Sequence, residues 1–289
     1  MEALGPLKEN NWVMAFAALL PAIVLCVYIY IKDRVEKEPI LLLLLLLGAG
    51  VLMTFPAIQL ELLAGPFIES QFLPYAQTVS EGVHSLPEGM FHLYATVDNL
   101  FGVALIEEGV KWIALVLLTR RSRHFNYTFD GIVYAVFVSL GFAGYENILY
   151  TFHYGIEVAL RRAFTAVPAH MFFGVLMGMM YSLWKLASVT NRVERSYADD
   201  GKIAVTRPFR KRKYMVASLA VPVLVHGVYD YVLMVDGWIY DVLFYVLLYA
   251  LYAFCFFQVF YRSEADGGIL GYATARVEKK YGLVTDNEE

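Results

Sequence analysis

Residues 97–118 read VDNLFGVALIEEGVKWIALVLL: an apolar run with two adjacent glutamates, Glu107 and Glu108, and a lysine, Lys111, set into its middle. The run has the length of about 20 residues that crosses a hydrocarbon core as a helix. A charged side chain at the centre of such a helix costs about 2.5–3.5 kcal/mol. Three of them in one span must therefore pair with one another, face a polar cavity, or both.

Working outward, the rest of the chain has the same character. Hydrophobic residues make up 59% of the 289, and charged residues only 17%. A soluble domain averages about a quarter charged residues, and here the apolar excess is gathered into long runs. Seven have spanning length: Trp12 to Ile31, Ile40 to Leu63, Asp98 to Leu118, Gly131 to His153, Arg162 to Leu186, Tyr214 to Val235 and Ile239 to Tyr261. The expected fold is an all-α polytopic membrane bundle of about seven transmembrane helices in a single membrane domain, 1–289. The first run follows a weakly charged start and lacks a small-residue cleavage site, so no cleavable signal peptide is expected. Cys26 and Cys255 both lie in apolar runs and indicate neither a disulfide framework nor a cysteine zinc site.

Loop charge sets the orientation. KDRVEKE follows the first run, RRSRH the third, a stretch ending RPFRKRK the fifth, and RVEKK lies beyond the seventh. The alternate connections are poor in Lys and Arg, with Arg161 and Arg162 the only pair. The positive-inside rule then puts the N-terminus outside and the C-terminus in the cytoplasm. Two N-terminal spans (12–63) precede an extracytoplasmic loop (64–97). Core spans occupy 98–235 and contain a cytoplasmic loop, 187–213; the last span is 239–261 and a cytoplasmic tail is 262–289. The outer loop is too polar to span and has room for a short interfacial helix or a flap. The basic inner loop reads as a mobile segment in contact with anionic lipid of the bilayer, not with nucleic acid. No internal repeat of the kind common in transporters is evident. A prokaryotic plasma membrane is the expected location.

Other ionisable residues lie inside the later spans: Glu146, His170, His226 and Asp230. Counted at about 1.5 Å per residue from the outer end of each span, Glu107 lies roughly 14 Å deep and Glu146 roughly 11 Å. His170 and His226 come out at roughly 12 and 13 Å. Four helices of alternating direction thus deliver two carboxylates and two imidazoles to one level in the outer half of the membrane. Scattered packing residues would not align in this way, so these groups are expected to form one site.

Helical spacing adds detail. Glu107–Lys111 is an i, i+4 pair and Glu108–Lys111 an i, i+3 pair, so the lysine reaches either carboxylate. Adjacent glutamates are about 100° apart around a helix, which predicts one tethered to Lys111 and the other free for chemistry. His226 and Asp230 are i, i+4, so Asp230 either orients the imidazole or joins it at a metal. His170, Gly174 and Gly178 form one stripe. It reads first as close helix packing, and otherwise as room for a substrate backbone.

EEGVK fits E-E-x-x-K, FAGYE fits F-x-x-x-E, His170 stands alone in its helix, and HGVYD fits H-x-x-x-D. In this order, each in its own span, they resemble the PrsW-type intramembrane proteases, distant relatives of the CAAX prenyl proteases. The stretch DGIVYAVFVSLGFAGYENILY is similar to that family's central helix. The resemblance covers Leu105 to about Tyr231. It implies hydrolysis of a peptide bond at the outer membrane boundary of a single-pass membrane protein, an anti-sigma factor in bacterial members. It implies active positions at Glu107, Glu108, Glu146, His170 and His226, with Asp230 and Asn147 beside them. It favours Glu107 as the base that activates water, with Glu108 held by Lys111.

The residues themselves leave two mechanisms open. Peptide hydrolysis needs a water, a base and positive or hydrogen-bonding groups for the oxyanion. In one arrangement His170, His226 and Glu146 bind zinc with an open fourth position and Glu107 is the base. In the other no metal binds, Glu107 activates water, and the histidines stabilise the oxyanion. Two rival classes share the same polar cluster: a proton- or cation-coupled transporter, and a scaffold whose polar groups only fix packing.

Overall fold

The central element is the helix α5, Asp130–Tyr154, whose sequence explains why it is central. Its apolar residues do not fall on one stripe but run all round, mixed with Gly and Ser. A helix of that kind is stable only when other helices cover every side. In the computed structural model, which describes residues 11–80 and 83–283, every residue from Asp130 to Gly144 is buried. The N-terminus before Asn11, Glu81 and Gly82 of the expected outer loop, and residues 284–289 of the expected tail lie outside the described residues.

Around α5 stand α1 (Asn11–Lys32), α2 (Ile40–Phe72), α4 (Leu105–Thr119) and α7 (Ala166–Asp199). Helices α8 (Lys211–Met234) and α9 (Trp238–Glu264) complete the bundle against α7. The outer faces of α1, α2 and α9 carry exposed Leu, Ile, Val and Phe, the pattern of helices whose solvent is lipid. Small residues set the closest approaches. A Cβ on Gly141 would collide with the Leu47 carbonyl oxygen of α2, and one on Gly178 with Gly131 of α5. Gly174 likewise sits against Ser139 and Val136, so the His170–Gly174–Gly178 stripe is a helix-packing face, the first of its two readings.

Six of the described helical stretches are long and apolar enough to cross a membrane. The bundle is polytopic, and the expected third span is where the count departs from seven. Residues Asp98–Ala104 adopt a π-helix between α3 (Glu88–Val97) and α4, so the backbone runs helically from Glu88 to Thr119 in three unlike pieces.

The loops differ from expectation in two places. Most of the outer loop is helical. Helix α2 continues to Phe72, a hairpin of β1 (Gln77–Ser80) and β2 (Val83–Ser85) follows, and α3 leads into the site. Leaving the bilayer does not end a helix, because its backbone bonds remain internal. The inner loop is corrected more strongly. Helix α7 extends to Asp199, into the segment 187–213 expected to be mobile, and the tail forms a helix, Ile269–Tyr281, that docks on it. Glu194 anchors this contact, accepting bonds from Lys280 Nζ at 2.6 Å and from the Arg207 amide at 2.9 Å. Buried Ile269, Ala273 and Val277 form the apolar side of the docked helix.

Two glycines make turns that other residues resist. Gly155 (φ 91°) ends α5 and starts α6 (Ile156–Arg162), and Gly237 (φ 134°) joins α8 to α9. Both turns lie at the end of the bundle that carries the polar site.

Candidate active site

The i, i+3 and i, i+4 geometry of α4 brings Lys111 to both glutamates at once. Its Nζ donates to Glu107 Oε2 and to Glu108 Oε1, each at 2.9 Å, and to His170 Nδ1 at 3.0 Å. The ammonium also lies 4.0 Å from the centre of the Phe142 ring and is completely buried. The expected division of labour, one glutamate tethered and one free, is thus replaced by a shared tether. The carboxylates differ in surroundings instead. Glu107 lines a cavity of about 340 Å³ with Glu146, Arg162, His170, His226 and Asp230. Glu108 and Lys111 lie behind that wall, both at 0% exposure.

The two histidines are held from both sides. His170 accepts from Lys111 at Nδ1, because an ammonium can only donate, and so its Nε2 carries the proton and donates to Glu146 Oε2 at 2.9 Å. His226 faces Glu108 Oε1 with Nδ1 and Asp230 Oδ2 with Nε2, both at 3.0 Å. The second contact is the i, i+4 pairing expected of Asp230. Phe173 stacks on His226 with centroids 4.5 Å apart, and the imidazoles of His170 and His226 meet edge to face at 5.4 Å. The seven residues expected to form the site therefore lie in one connected network on α4, α5, α7 and α8.

Sequence reading missed two members. Arg162, noticed only as a loop charge, turns its guanidinium inward to Glu146 Oε2 at 2.9 Å and to Asn147 Oδ1 at 3.1 Å. Asn147 in turn donates to the Ala18 carbonyl at 2.9 Å and so ties α1 to the network. Glu61, the one carboxylate within the second expected span, lies in electrostatic reach of Glu107, Glu146 and His226. Its signal was present in the sequence as a lone acid in an apolar run. The π-helix adds a positional effect: Asn99, Val103 and Glu107, spaced by four, all line the cavity. Its extra residue per turn re-aims the helix immediately before the paired glutamates.

The donor set can be tested against a metal. Glu107, Glu108, His170 and His226 each bring one donor atom within 4.8 Å of the others. Two imidazoles and two carboxylates are zinc ligands in kind, and Glu108 Oε2 is buried without a hydrogen-bond partner. The residues fit such an ion, with the Lys111 ammonium bonded to three of the same four side chains. Glu146, expected among the ligands, lies outside this group, on the far nitrogen of His170 beside Arg162.

Residues 38–259 match the family described as PrsW family intramembrane metalloprotease. Protease PrsW of Geobacillus kaustophilus (strain HTA426) is 33% identical over 218 residues, covering 75% of this chain and 78% of that protein. Protease PrsW of Bacillus subtilis (strain 168) is 32% identical over 228 residues, covering 78% and 86%. Protease PrsW of Clostridioides difficile (strain 630) is 30% identical over 224 residues, covering 76% and 78%. No solved structure matches the chain.

Proposed function

Because the chain belongs to the PrsW family and is a multi-pass membrane peptidase, we propose that it cuts a single-pass membrane protein near the outer membrane boundary, with Glu107 as the base. The observation that carries this reading is the position of Glu107. It alone of the doublet lines the cavity, and Lys111 holds its Oε2, leaving Oε1 for a water. Glu107 removes the proton of that water as it attacks the peptide carbonyl, and later returns it to the leaving amine. Arg162, whose buried Nη2 pairs with Glu146 by charge but makes no hydrogen bond, supplies positive charge and N–H donors to the oxyanion, and the imidazoles line the wall beside it. Glu146 fixes the proton on His170 Nε2, and His226 is held by Asp230 at the cavity wall and by Glu108 from behind.

Of the four convergent donors, Glu108, His170 and His226 would hold a zinc ion while Glu107 remains free as base. Such an ion supplies Lewis acidity and lowers the pKa of bound water. A metal-free form of the same reaction is favoured by one observation: Lys111 Nζ already bonds to Glu107, Glu108 and His170. Zinc content separates the two.

The cavity lies at the end of the bundle where α5 gives way to α6 and α8 to α9, the end whose connections are poor in basic residues. By loop charge that end faces outward in a prokaryotic plasma membrane. A peptide bond is open to attack only when its carbonyl is released from a helical ladder, so the substrate unwinds there. An anti-sigma factor with one membrane segment is a substrate of this kind.

The test is cleavage of a single-pass substrate by purified protein in liposomes, with both fragments sized by mass spectrometry. Wild type is expected to cut at the outer end of the substrate's membrane segment. Glu107→Gln should lower the rate by about 10²-fold or more while still inserting. Near wild-type cleavage by Glu107→Gln, or a cut at the inner boundary, would overturn the proposal.

A further inference from the structure

A second cluster of acids lies at the other end of α5. Asp33 follows α1, Glu38 precedes α2, Asp130 opens α5, and Asp266 sits between α9 and the docked helix Ile269–Tyr281. Asp33, Asp130 and Asp266 each offer an oxygen within 4.8 Å of the other two. Glu38 lies in electrostatic reach of Asp33 and Asp130. Asp33 and Asp130 are 0% exposed and Glu38 4%. From Asp130 to Glu146 is 16 residues, about 24 Å along the helix, so this is not the active-site network.

Each aspartate is held in the same way. Asp33 Oδ2 accepts from the Glu38 amide at 3.1 Å. Asp130 Oδ2 accepts from the amides of Asn126 and Tyr127 at 2.9 and 2.7 Å. Asp266 Oδ1 accepts from Thr128 Oγ1 and from the amides of Phe129 and Gly267, all at 2.9 Å. One oxygen of each is thereby fixed, and the other is left over. Asp33 Oδ1, Asp130 Oδ1, Asp266 Oδ2 and Glu38 Oε2 are all buried without a hydrogen-bond partner. The hydroxyl of Tyr134, fully buried one turn into α5 and facing Glu38 and Asp130, is also unpartnered.

No salt bridge among the described residues involves any of the four acids. The neighbouring cations point elsewhere. Arg34 pairs with Glu264, and Lys37 turns back to the carbonyls of Tyr30 and Ile31. Four buried acids cannot stay charged without a counter-charge. Protons and a cation compete for these oxygens: burial pushes the Asp33 and Glu38 carboxyls up, whereas the backbone amides on the aspartates favour the ionised form that a cation takes.

We infer that Asp33, Asp130 and Asp266, with Glu38 and Tyr134 beside them, bind one hard divalent cation, magnesium or calcium. Oxygen-only donors select these ions, whereas zinc prefers the imidazole-containing site at the other end. The ion joins three distant parts of the chain: the turn after α1, the start of α5, and the turn after α9. By loop charge it lies on the cytoplasmic side. It acts as a clamp that holds the docked C-terminal helix to the bundle.

Full-length protein in detergent, stripped with chelator and desalted, is titrated with Mg²⁺ or Ca²⁺ alone and followed by calorimetry and thermal melting. One saturable event per chain is expected, with a rise in melting midpoint on the order of 5 °C at saturation. Asp33→Asn and Asp266→Asn should weaken it about tenfold or more. His226→Ala should leave it unchanged, which separates this ion from any at the active site. Asp266 is only partly buried, so Asp266→Asn decides the matter if Asp33→Asn does not fold. Absence of saturable binding of either ion by folded wild type, or unaltered binding by Asp266→Asn, would overturn the inference.

Discussion

Replacing Lys111 by Met removes the counter-charge of two buried carboxylates while keeping the side chain's length. The structure sets the size of the effect. Lys111 makes two charge-assisted bonds at 2.9 Å, each worth about 1.5–3 kcal/mol, and both partners stay buried when it goes. Removing one partner of a buried pair costs about 3–5 kcal/mol, which agrees with the sum of the two bonds. A loss of about 4 kcal/mol lowers the melting midpoint by roughly 8–16 °C for a chain of this size. Substrate cleavage should fall as well, because Glu107 Oε2 loses the bond that orients it. Adding Glu108→Gln removes one of the two stranded carboxylates and should return part of the stability. That partial recovery distinguishes stranded charge from lost packing. Melting curves in detergent, read by intrinsic fluorescence, supply the numbers. A single variant that melts with wild type, or a double variant that melts below the single, would refute Lys111 as the shared counter-ion.

If Glu108, His170 and His226 hold zinc, elemental analysis should find about one per chain, mostly lost in Glu108→Gln, His170→Ala and His226→Ala but kept in Glu146→Gln; active enzyme without zinc would leave the metal-free reaction. Gly141→Ala forces a Cβ into the Leu47 carbonyl and should cost about 1–3 kcal/mol in thermal melts, whereas Gly48→Ala, which meets nothing within 4 Å, should be near neutral. At the inner cluster, burial pushes the Asp33 carboxyl up to about 6 and the Glu38 carboxyl up to about 7, both above their unfolded range. Groups shifted in that direction stabilise the fold fully below the unfolded value and lose that contribution as pH rises through the folded one. Cation-free protein should therefore lose stability from about pH 4 to pH 8, and Mg²⁺ or Ca²⁺ should flatten the decline; a flat profile without cation would contradict it.

The membrane class was readable from sequence because long apolar runs have one stable solvent, and the polar positions were readable because a charge in such a run is too costly to be incidental. Glu107, Glu108, Lys111, Glu146, His170, His226 and Asp230 could all be named, and a shared level for Glu107, Glu146, His170 and His226 follows from helical rise alone. What rise and spacing do not contain is rotation about each helix and the partner across the gap. Hence the lysine expected to choose between Glu107 and Glu108 bonds both, and Arg162, a loop charge in sequence, turns inward to Glu146. The length of α7 and the docking of Ile269–Tyr281 were equally out of reach, because Glu194, 86 residues from Lys280, is a solvated acid until the fold brings them to 2.6 Å. The same holds for the inner acids. Asp33, Asp130 and Asp266 look like ordinary loop and cap residues until three chain segments meet, and only that meeting buries their free oxygens together.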